Sequence, residues 1–280
     1  MVLKKVGTLA ILMSIGGGIA HADLTYTTKV SAGNGRDLET TTYMKGIRVR
    51  TEAEGRITIT DGTRTYLINT EKKTYSVIAN KKLDSTANPM MEQFNQMIDM
   101  KMDVSVKPGG KTRTILGKPA KNYLYTMTMR MNFKPGSGPK NATGKGQMRL
   151  PTFQTIGETW TTEALPAPPA SAAAMTPGAA FRNLGMLGST AKSAAASFQK
   201  IKGFPLESTM TQKTVGGSMP GMEGKGGGRN LVIKMNVVSL KTDAVDAGLF
   251  APQKGFKQVP YEPPTMPSMS GLAGGGGGGM

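Results

Sequence analysis

The strict alternation of apolar and polar residues from Tyr123 to Phe133 constrains the fold more than any other feature of this sequence. Alternation with a period of two is typical of a β-strand that has one buried and one solvated face. Leu124 is the single exception to the pattern. The segment therefore predicts a core strand, whose buried side consists of Tyr123, Tyr125, Met127, Met129, Met131 and Phe133.

Shorter strand patterns precede and follow this segment. Strands are predicted over residues 24–30, 42–52, 56–60, 65–69, 74–78, 156–161, 206–215 and 230–240. Turn signals separate them, and Asp61-Gly62 is a favourable hairpin pair. In the strand over 42–52, Tyr43, Ile47 and Val49 are expected to share a face. The spacing predicts an antiparallel sheet with one buried face.

A helix is predicted between these strands, over residues 88–100. Asn88 is a favourable N-cap and Pro89 a favourable first helical residue. Apolar residues then recur at helical spacing, and they are Met90, Met91, Phe94, Met97 and Ile98. We expect this helix to lay a methionine-rich stripe on the sheet. A second, weaker helix is predicted from Thr176-Pro177 to Phe198.

The first 22 residues have the three-part pattern of a secretory signal. Lys4 and Lys5 precede an apolar stretch over residues 6–19, and Ala20-His21-Ala22 matches a cleavage site. The stretch is shorter than the roughly 20 residues that a transmembrane helix needs. We therefore expect cleavage before Asp23 and a periplasmic or secreted protein that does not span the membrane. Residues 23–259 are predicted to form one domain with an Ala/Pro/Gly-rich insertion near 165–200, and residues 260–280 a disordered tail.

The residue types used by most catalytic and metal sites are missing from the predicted mature chain. The sequence has no cysteine, and its one histidine, His21, lies in the predicted signal. Thiolate zinc sites and histidine-based triads are therefore excluded. The carboxylate pairs Glu52 with Glu54 and Asp99 with Asp103 have no supporting motif and are interpreted as solvated charges. We expect a binding protein with no catalytic residues and no cofactor.

Basic residues exceed acidic ones, and the excess is uneven. The formal net charge is +17, and loss of Lys4 and Lys5 leaves +15. Residues 101–149 hold 11 basic residues against one acid, Asp103. A field of this sign attracts anionic lipid headgroups or acidic polysaccharide, and export argues against nucleic acid as the partner. The alternative is a solvated basic surface.

Methionine is the compositional oddity, with 21 residues. Thioethers adapt to irregular cores and to pockets for varied apolar ligands. We expect a cavity for a lipid or other apolar ligand between the helix and the core strand, lined by Met90, Met91, Phe94, Met97, Ile98, Tyr123, Tyr125, Met127, Met129 and Met131. Three alternatives stay open: a filled core made of the same residues, a basic structural protein that binds polyanions, and copper(I) binding by thioethers.

Short motifs occur in a characteristic order along residues 23–259. They are residues 41–50 (TTYMKGIRVR), 66–69 (YLIN), 73–75 (KTY), 117–123 (GKPAKNY), 158–162 (ETWTT), 203–206 (GFPL) and 249–257 (LFAPQKGFK). In this order they resemble exported bacterial domains of unknown function within the LolA-like superfamily of outer-membrane lipoprotein carriers. The chain departs from the carriers in its insertion near 165–200 and in its glycine-rich end.

The resemblance implies an α+β fold. The expected architecture is a curved antiparallel β half-barrel with helices covering its concave face and an apolar cavity between the two. In the lipoprotein carriers such a cavity holds acyl chains. The resemblance carries over no catalytic residues.

Overall fold

Twelve β-strands make up most of the described chain. The computed structural model describes residues 23–33, 35, 37–80, 96–135, 150–168, 194, 196–215 and 230–262. The strands are β1 (Leu24–Ala32), β2 (Asp37–Lys45), β3 (Arg48–Ala53), β4 (Arg56–Thr60), β5 (Arg64–Asn69), β6 (Thr74–Ala79), β7 (Ile98–Ile115), β8 (Lys118–Phe133), β9 (Thr152–Thr162), β10 (Phe204–Val215), β11 (Leu231–Lys241) and β12 (Lys257–Gln258).

All twelve strands belong to one open sheet. Their order is β12-β6-β5-β4-β3-β2-β1-β11-β10-β9-β8-β7. Sequential strands are neighbours within each half of the sheet, as hairpin connections require, and these pairs are antiparallel. Two pairings join distant parts of the chain: β1 lies antiparallel to β11, and β12 lies parallel to β6. The first strand therefore occupies the middle of the sheet and connects its two halves.

The α+β expectation is wrong for the part of the chain that the structure describes. That part is nearly all β, and its short helix is the 3₁₀ helix Ala247–Phe250. Otherwise helical residues are restricted to fragments at 80, 96–97, 194 and 196–198. A layer of helices over a concave face is therefore not what the described residues form. Among them, no helix is long and apolar enough to cross a membrane.

The predicted helix over residues 88–100 is wrong at its end. Ile98 begins β7, which runs to Ile115 and pairs with β8. Met90, Met91 and Phe94 lie outside the described residues. Apolar residues at helical spacing continue up to Ile98, and the period-two alternation of β7 begins at the same residue. Methionine is compatible with both helices and strands. The helical spacing therefore led to a predicted helix that extends into the start of β7.

The predicted strand over residues 42–52 is two strands. Gly46 adopts φ +60°, a left-handed conformation that glycine reaches without strain, and with Ile47 it forms the turn between β2 and β3. The Ile47 side chain is 60% exposed. Tyr43 lies opposite Arg50 and Met44 opposite Val49, so Tyr43 and Val49 occupy opposite faces of the sheet. The other predicted strands correspond to β1, β4, β5, β6, β8, β9, β10 and β11.

One face of β7 and β8, called here the methionine face, carries Met102, Met127 and Met129. Near the centre of the sheet the apolar side chains are closely packed, and the ring of Tyr26 meets Phe204 edge-on at 5.0 Å between centroids. Burial of these apolar groups stabilises the fold by roughly 25 cal/mol per Å². The buried cluster consists of Leu24, Tyr26, Met44, Val49, Ile115, Ala120, Leu165, Phe204, Leu206 and Val237.

The opposite face of β3–β6 is covered by the C-terminal strap, residues 245–258. Val245 and Phe250 of the strap pack on Ile57, Ile59 and Ile68. The buried guanidinium of Arg50 donates through Nη1 to the Leu249 carbonyl at 2.8 Å. The strap ends in β12, which adds to the edge of β6.

Asp23 joins the start of β1 to the strap. Its Oδ2 accepts hydrogen bonds from the Val245 N–H at 2.8 Å and from Lys45 Nζ at 2.7 Å. Lys45 Nζ also donates to the Val245 carbonyl at 2.8 Å. These donors hold the pKa of the Asp23 carboxyl below its ordinary value.

Candidate ligand-binding face

The predicted residues of the core strand share one face. Tyr123, Tyr125, Met127, Met129 and Met131 all lie on the methionine face of β8. Tyr125 and Met127 are each 1% exposed and Met131 is buried, whereas Tyr123 and Met129 are half-buried. These five residues therefore share one face of β8, as their alternation in the sequence indicates.

The residues predicted on the helix are not placed as expected. Ile98 lies on β7, opposite Phe133, and is buried. Met97 precedes the strand and is 42% exposed. Met90, Met91 and Phe94 fall outside the described residues, so the structure does not test the helix side of the predicted cavity.

Strand β7 contributes a row of residues that the sequence reasoning missed. On the methionine face, Met100 lies opposite Met131 and Met102 opposite Met129. Directly opposed side chains in an antiparallel pair have Cβ atoms about 5 Å apart. Two adjacent strands thus bring together five methionines: Met100, Met102, Met127, Met129 and Met131. The alternation of apolar and polar residues over 98–106 is the signal that could have identified this row.

The methionine cluster is less enclosed than the centre of the sheet. Met102, Met127 and Ala194 are buried together, while Met100 and Met129 beside them are half-buried. Ala194 and Phe198 come from the helical fragment before β10, and the Phe198 ring meets that of Tyr125 edge-on at 5.5 Å. This fragment covers the face locally, near Tyr125.

Tyr125 extends across the neighbouring strand β9. It pairs with Gly157, and a Cβ added to Gly157 would lie 2.1 Å from Tyr125 Cζ. The absence of a side chain at residue 157 therefore provides the space for the ring, which extends toward β10. Ser208 lies there, and burial raises the pKa of the Tyr125 hydroxyl to about 12, partly offset by the neighbouring Ser208 hydroxyl.

Two buried hydroxyls on this face have no hydrogen bond. Among the side chains that the structure describes, Tyr125 Oη and Ser208 Oγ are the buried polar atoms without a completed hydrogen bond. Tyr125 is 1% exposed and Ser208 3% exposed. Burial raises the pKa of the Tyr26 hydroxyl in the same way, and there the neighbouring hydroxyl that partly offsets the rise is that of Thr42.

Two basic residues of β7 and β8, Lys101 and Arg130, do not line the methionine face. Lys101 and Arg130 lie opposite each other on the other side of the sheet, and Arg130 forms an ion pair with Asp103 at 2.6 Å. Arg113 lies over the Trp160 ring, with Cζ 4.0 Å from its centroid, and pairs with Glu207. Part of the basic excess is therefore engaged with acids and with an aromatic ring.

A separate open cavity of about 390 Å³ lies at the turn between β3 and β4. Glu39, Glu52, Glu54 and Arg56 contribute to its wall, and no predicted site residue does. No cluster of acidic residues suited to a metal ion occurs among the described residues.

Comparison with known proteins gives little further information. Neither a protein-family model nor a curated protein matches the sequence. Among solved structures, the chain is similar to an uncharacterized conserved protein from Thermus thermophilus, with a TM-score of 0.36 and 12% sequence identity. This similarity covers 86% of this chain and 91% of that protein. At such a score it carries no argument about the fold or the function.

Proposed function

We propose that this protein is a non-catalytic, exported binding protein that holds a lipid or other apolar ligand against the methionine face. The main support is the arrangement of β7 and β8, where half-buried Met100 and Met129 adjoin fully buried Met127. Flexible, polarizable thioethers adapt to ligands of varied shape. Small-molecule sites are mostly apolar with a few polar groups, which matches this face.

Binding in this proposal is driven by the removal of apolar surface from water. Each Å² of apolar surface that a ligand buries contributes about 25 cal/mol before the entropic costs of association. The half-buried residues of this face are Tyr123 and Met129 of β8 and Met100 and Val104 of β7.

Charged substitutions on the two faces of the sheet test whether an apolar ligand binds the methionine face. Met129→Lys introduces an ammonium on the methionine face, where it opposes an apolar ligand. Ile156→Lys is the matched control, because Ile156 is 45% exposed on the opposite side of the adjacent strand β9. An apolar naphthylamine dye is expected to bind the wild type and Ile156→Lys alike, and Met129→Lys about tenfold more weakly.

Native mass spectrometry of protein purified from its own envelope provides the complementary test. We expect a bound apolar molecule, or uptake of added phospholipid, to be visible as a mass increase. A ligand-free species that ignores both phospholipid and dye would refute the proposal and favour a filled core.

Export and family membership are proposals that rest on the sequence. Cleavage before Asp23 predicts that the mature protein begins at Asp23, which the intact mass of protein from the periplasmic or secreted fraction would reveal. The ordered motifs support a relation to the LolA-like superfamily. Two of them lie at the turn between β7 and β8 and at the start of β10.

Binding of a soft monovalent cation is a second candidate. It is favoured by the register of β7 and β8, which sets Met102 opposite Met129 and Met100 opposite Met131. Thioethers are ligands suited to copper(I). Calorimetric titration with silver(I) is expected to give heat that disappears in Met102→Leu/Met129→Leu, a pair of substitutions of similar volume. Absence of heat in the wild type would end this candidate.

A further inference from the structure

Half-buried methionines occur on four strands of the right half of the sheet. Met100 of β7 and Met129 of β8 belong to the methionine face, and both are half-buried. Met210 of β10 and Met235 of β11 are half-buried as well. Part of each of these side chains is therefore accessible to solutes as small as a peroxide.

The register of the strands places Met210 and Met235 on the continuation of the methionine face. Gly157 of β9 is paired with Tyr125 on one side and with Met210 on the other. Directly paired residues lie on the same face of a sheet. Met235 is paired with Ser208, which is two residues from Met210 and so shares its face. The four half-buried methionines consequently lie on one face, although they come from distant parts of the sequence.

Buried methionines lie beside the half-buried ones. Met102 is paired with Met129, and Met131 is paired with Met100. Met102 is 8% exposed, Met127 1% and Met131 7%. The same face therefore contains two classes of methionine, which have the same chemistry and differ in their access to solvent.

Methionine is the only source of sulfur in this protein, because the sequence has no cysteine. Thiolates, which react with peroxides, are absent, whereas a thioether can be oxidised to a sulfoxide that reductases convert back. In this reaction the thioether sulfur attacks one peroxide oxygen. An S–O bond forms, the O–O bond breaks, and the second oxygen takes up the proton of the first and leaves as water. The sulfur loses two electrons and the peroxide gains them.

We propose that Met100, Met129, Met210 and Met235 form a site of reversible oxidation by peroxides, and that their sulfoxides weaken the binding of an apolar ligand to the methionine face. The oxidation site itself is supported by the exposure and the register of the four residues. Its effect on binding rests on the proposed function and adds a regulation to it.

A sulfoxide alters this face because it replaces an apolar thioether with a polar S–O group. An apolar ligand that covers Met100 or Met129 would then remove a polar group from water without giving it a hydrogen bond, which is unfavourable. Oxidation should therefore weaken binding. A bound ligand that covers the same thioethers should in turn slow their oxidation.

Peptide mapping by mass spectrometry after exposure to hydrogen peroxide tests the oxidation site. In the folded wild type, the four half-buried methionines are expected to gain oxygen about fivefold faster than Met102, Met127 and Met131. In urea-denatured protein the two classes should react at similar rates, because both are then exposed. Equal rates in the folded protein would overturn the site.

Reversibility has its own measurement. Methionine sulfoxide reductases of both stereospecificities, added with their reductant, should return the oxidised peptides of the folded protein to their original masses. Sulfoxides that persist at the four positions after this treatment would overturn reversible oxidation.

Dye binding before and after peroxide treatment tests the effect on the ligand. The wild type is expected to bind the naphthylamine dye about fivefold more weakly after oxidation and to recover after the reductases. The variant Met100→Leu/Met129→Leu/Met210→Leu/Met235→Leu keeps a similar apolar volume and should bind the dye equally well before and after peroxide.

Met97→Leu is the matched control. Met97 is 42% exposed and precedes β7, so its oxidation should not place a polar group on the methionine face. This variant should therefore lose dye binding on oxidation to the same extent as the wild type. Protection by Met97→Leu would overturn the assignment to the four half-buried methionines.

The outcomes separate this inference from the proposed function. Dye binding that survives oxidation of the four methionines, or a loss that persists in the four-leucine variant, overturns the effect on the ligand while apolar binding stands. If the unoxidised wild type binds no dye and no phospholipid, the proposed function and the effect on binding fail together. Peptide mapping then still decides whether the oxidation site exists.

Discussion

Tyr125 occupies the space that a side chain at Gly157 would need. The ring carbon Cζ would lie 2.1 Å from a Cβ at residue 157, well below any normal contact distance. Gly157→Ala is therefore expected to reduce the free energy of unfolding by about 1–3 kcal/mol, because the ring must move within a packed face. Urea denaturation of the two proteins measures this difference.

Gly33→Ala is the control for loss of a glycine. The nearest side-chain atom to a Cβ there is Leu231 Cδ1 at 3.9 Å, an ordinary contact, and the backbone at Gly33 is not left-handed. Its unfolding midpoint should match that of the wild type closely. Equal stability of Gly157→Ala and Gly33→Ala would mean that the Tyr125 ring does not lie across β9.

Asp23 predicts a pH dependence of stability. Its pKa is lowered from 3.8, first by the hydrogen bond from Lys45 and then by that from the Val245 N–H. A lowered pKa in the folded state means that the stabilisation is fully present above about pH 4 and is lost as the pH falls through the folded-state value. Asp23→Asn should therefore unfold with a flatter dependence on pH below about 4, as measured by thermal unfolding from about pH 2 to 7.

Asp37→Asn supplies the comparison for Asp23. The pKa of Asp37 is also lowered, by hydrogen bonds from Lys29 and Ser31, but this carboxylate is exposed to solvent. Added salt, at about 0.5 M, should screen its effect, while the effect of Asp23, whose side chain is 19% exposed, should persist. Identical salt sensitivity of the two variants would contradict the half-buried junction between β1 and the strap.

The C-terminal strap is expected to be essential for the stability of β3–β6. Phe250→Ala removes a buried ring that packs on Ile57 and Ile59, and a loss of about 3–5 kcal/mol is expected. Val238→Ala, at a side chain 48% exposed, should change the stability little. Limited proteolysis should cleave Phe250→Ala near residues 242–258 before the rest of the chain, and equal protease resistance would contradict this arrangement.

The basic excess predicts weak, salt-sensitive retention on a polyanion column. Lys101→Gln should reduce the salt concentration needed for elution from heparin more than Arg130→Gln, because Arg130 is already paired with Asp103. Retention that does not weaken between low and physiological salt would contradict an electrostatic origin of the binding.

The parts of the fold that could be predicted are those specified by local pattern. Alternation identified β8 and its buried side, and the Asp61-Gly62 turn fixed the end of β4. The helical prediction failed at Ile98, where β7 begins. Met97 and Ile98 fit the apolar spacing of a helix, but they are equally compatible with the beginning of a strand. The turn at Gly46 was missed because the alternation continues across it.

The candidate site depended on relationships that no local pattern contains. The pairing of Met102 with Met129 follows from the register of β7 on β8. The Ser208 hydroxyl of β10 neighbours the hydroxyl of Tyr125, which lies two strands away on β8. The packing of Phe250 on Ile59 likewise joins segments that lie nearly 200 residues apart. Such contacts are decided by the whole sheet and cannot be deduced from spacing within one segment.

The position of β1 between β2 and β11 determines when the domain can finish folding. A strand made of residues 24–32 must wait for residues 231–241 before its second edge is paired. Contacts between such distant segments raise the contact order and slow folding. The sheet of a newly synthesised chain therefore remains incompletely paired until residues 231–241 have been made.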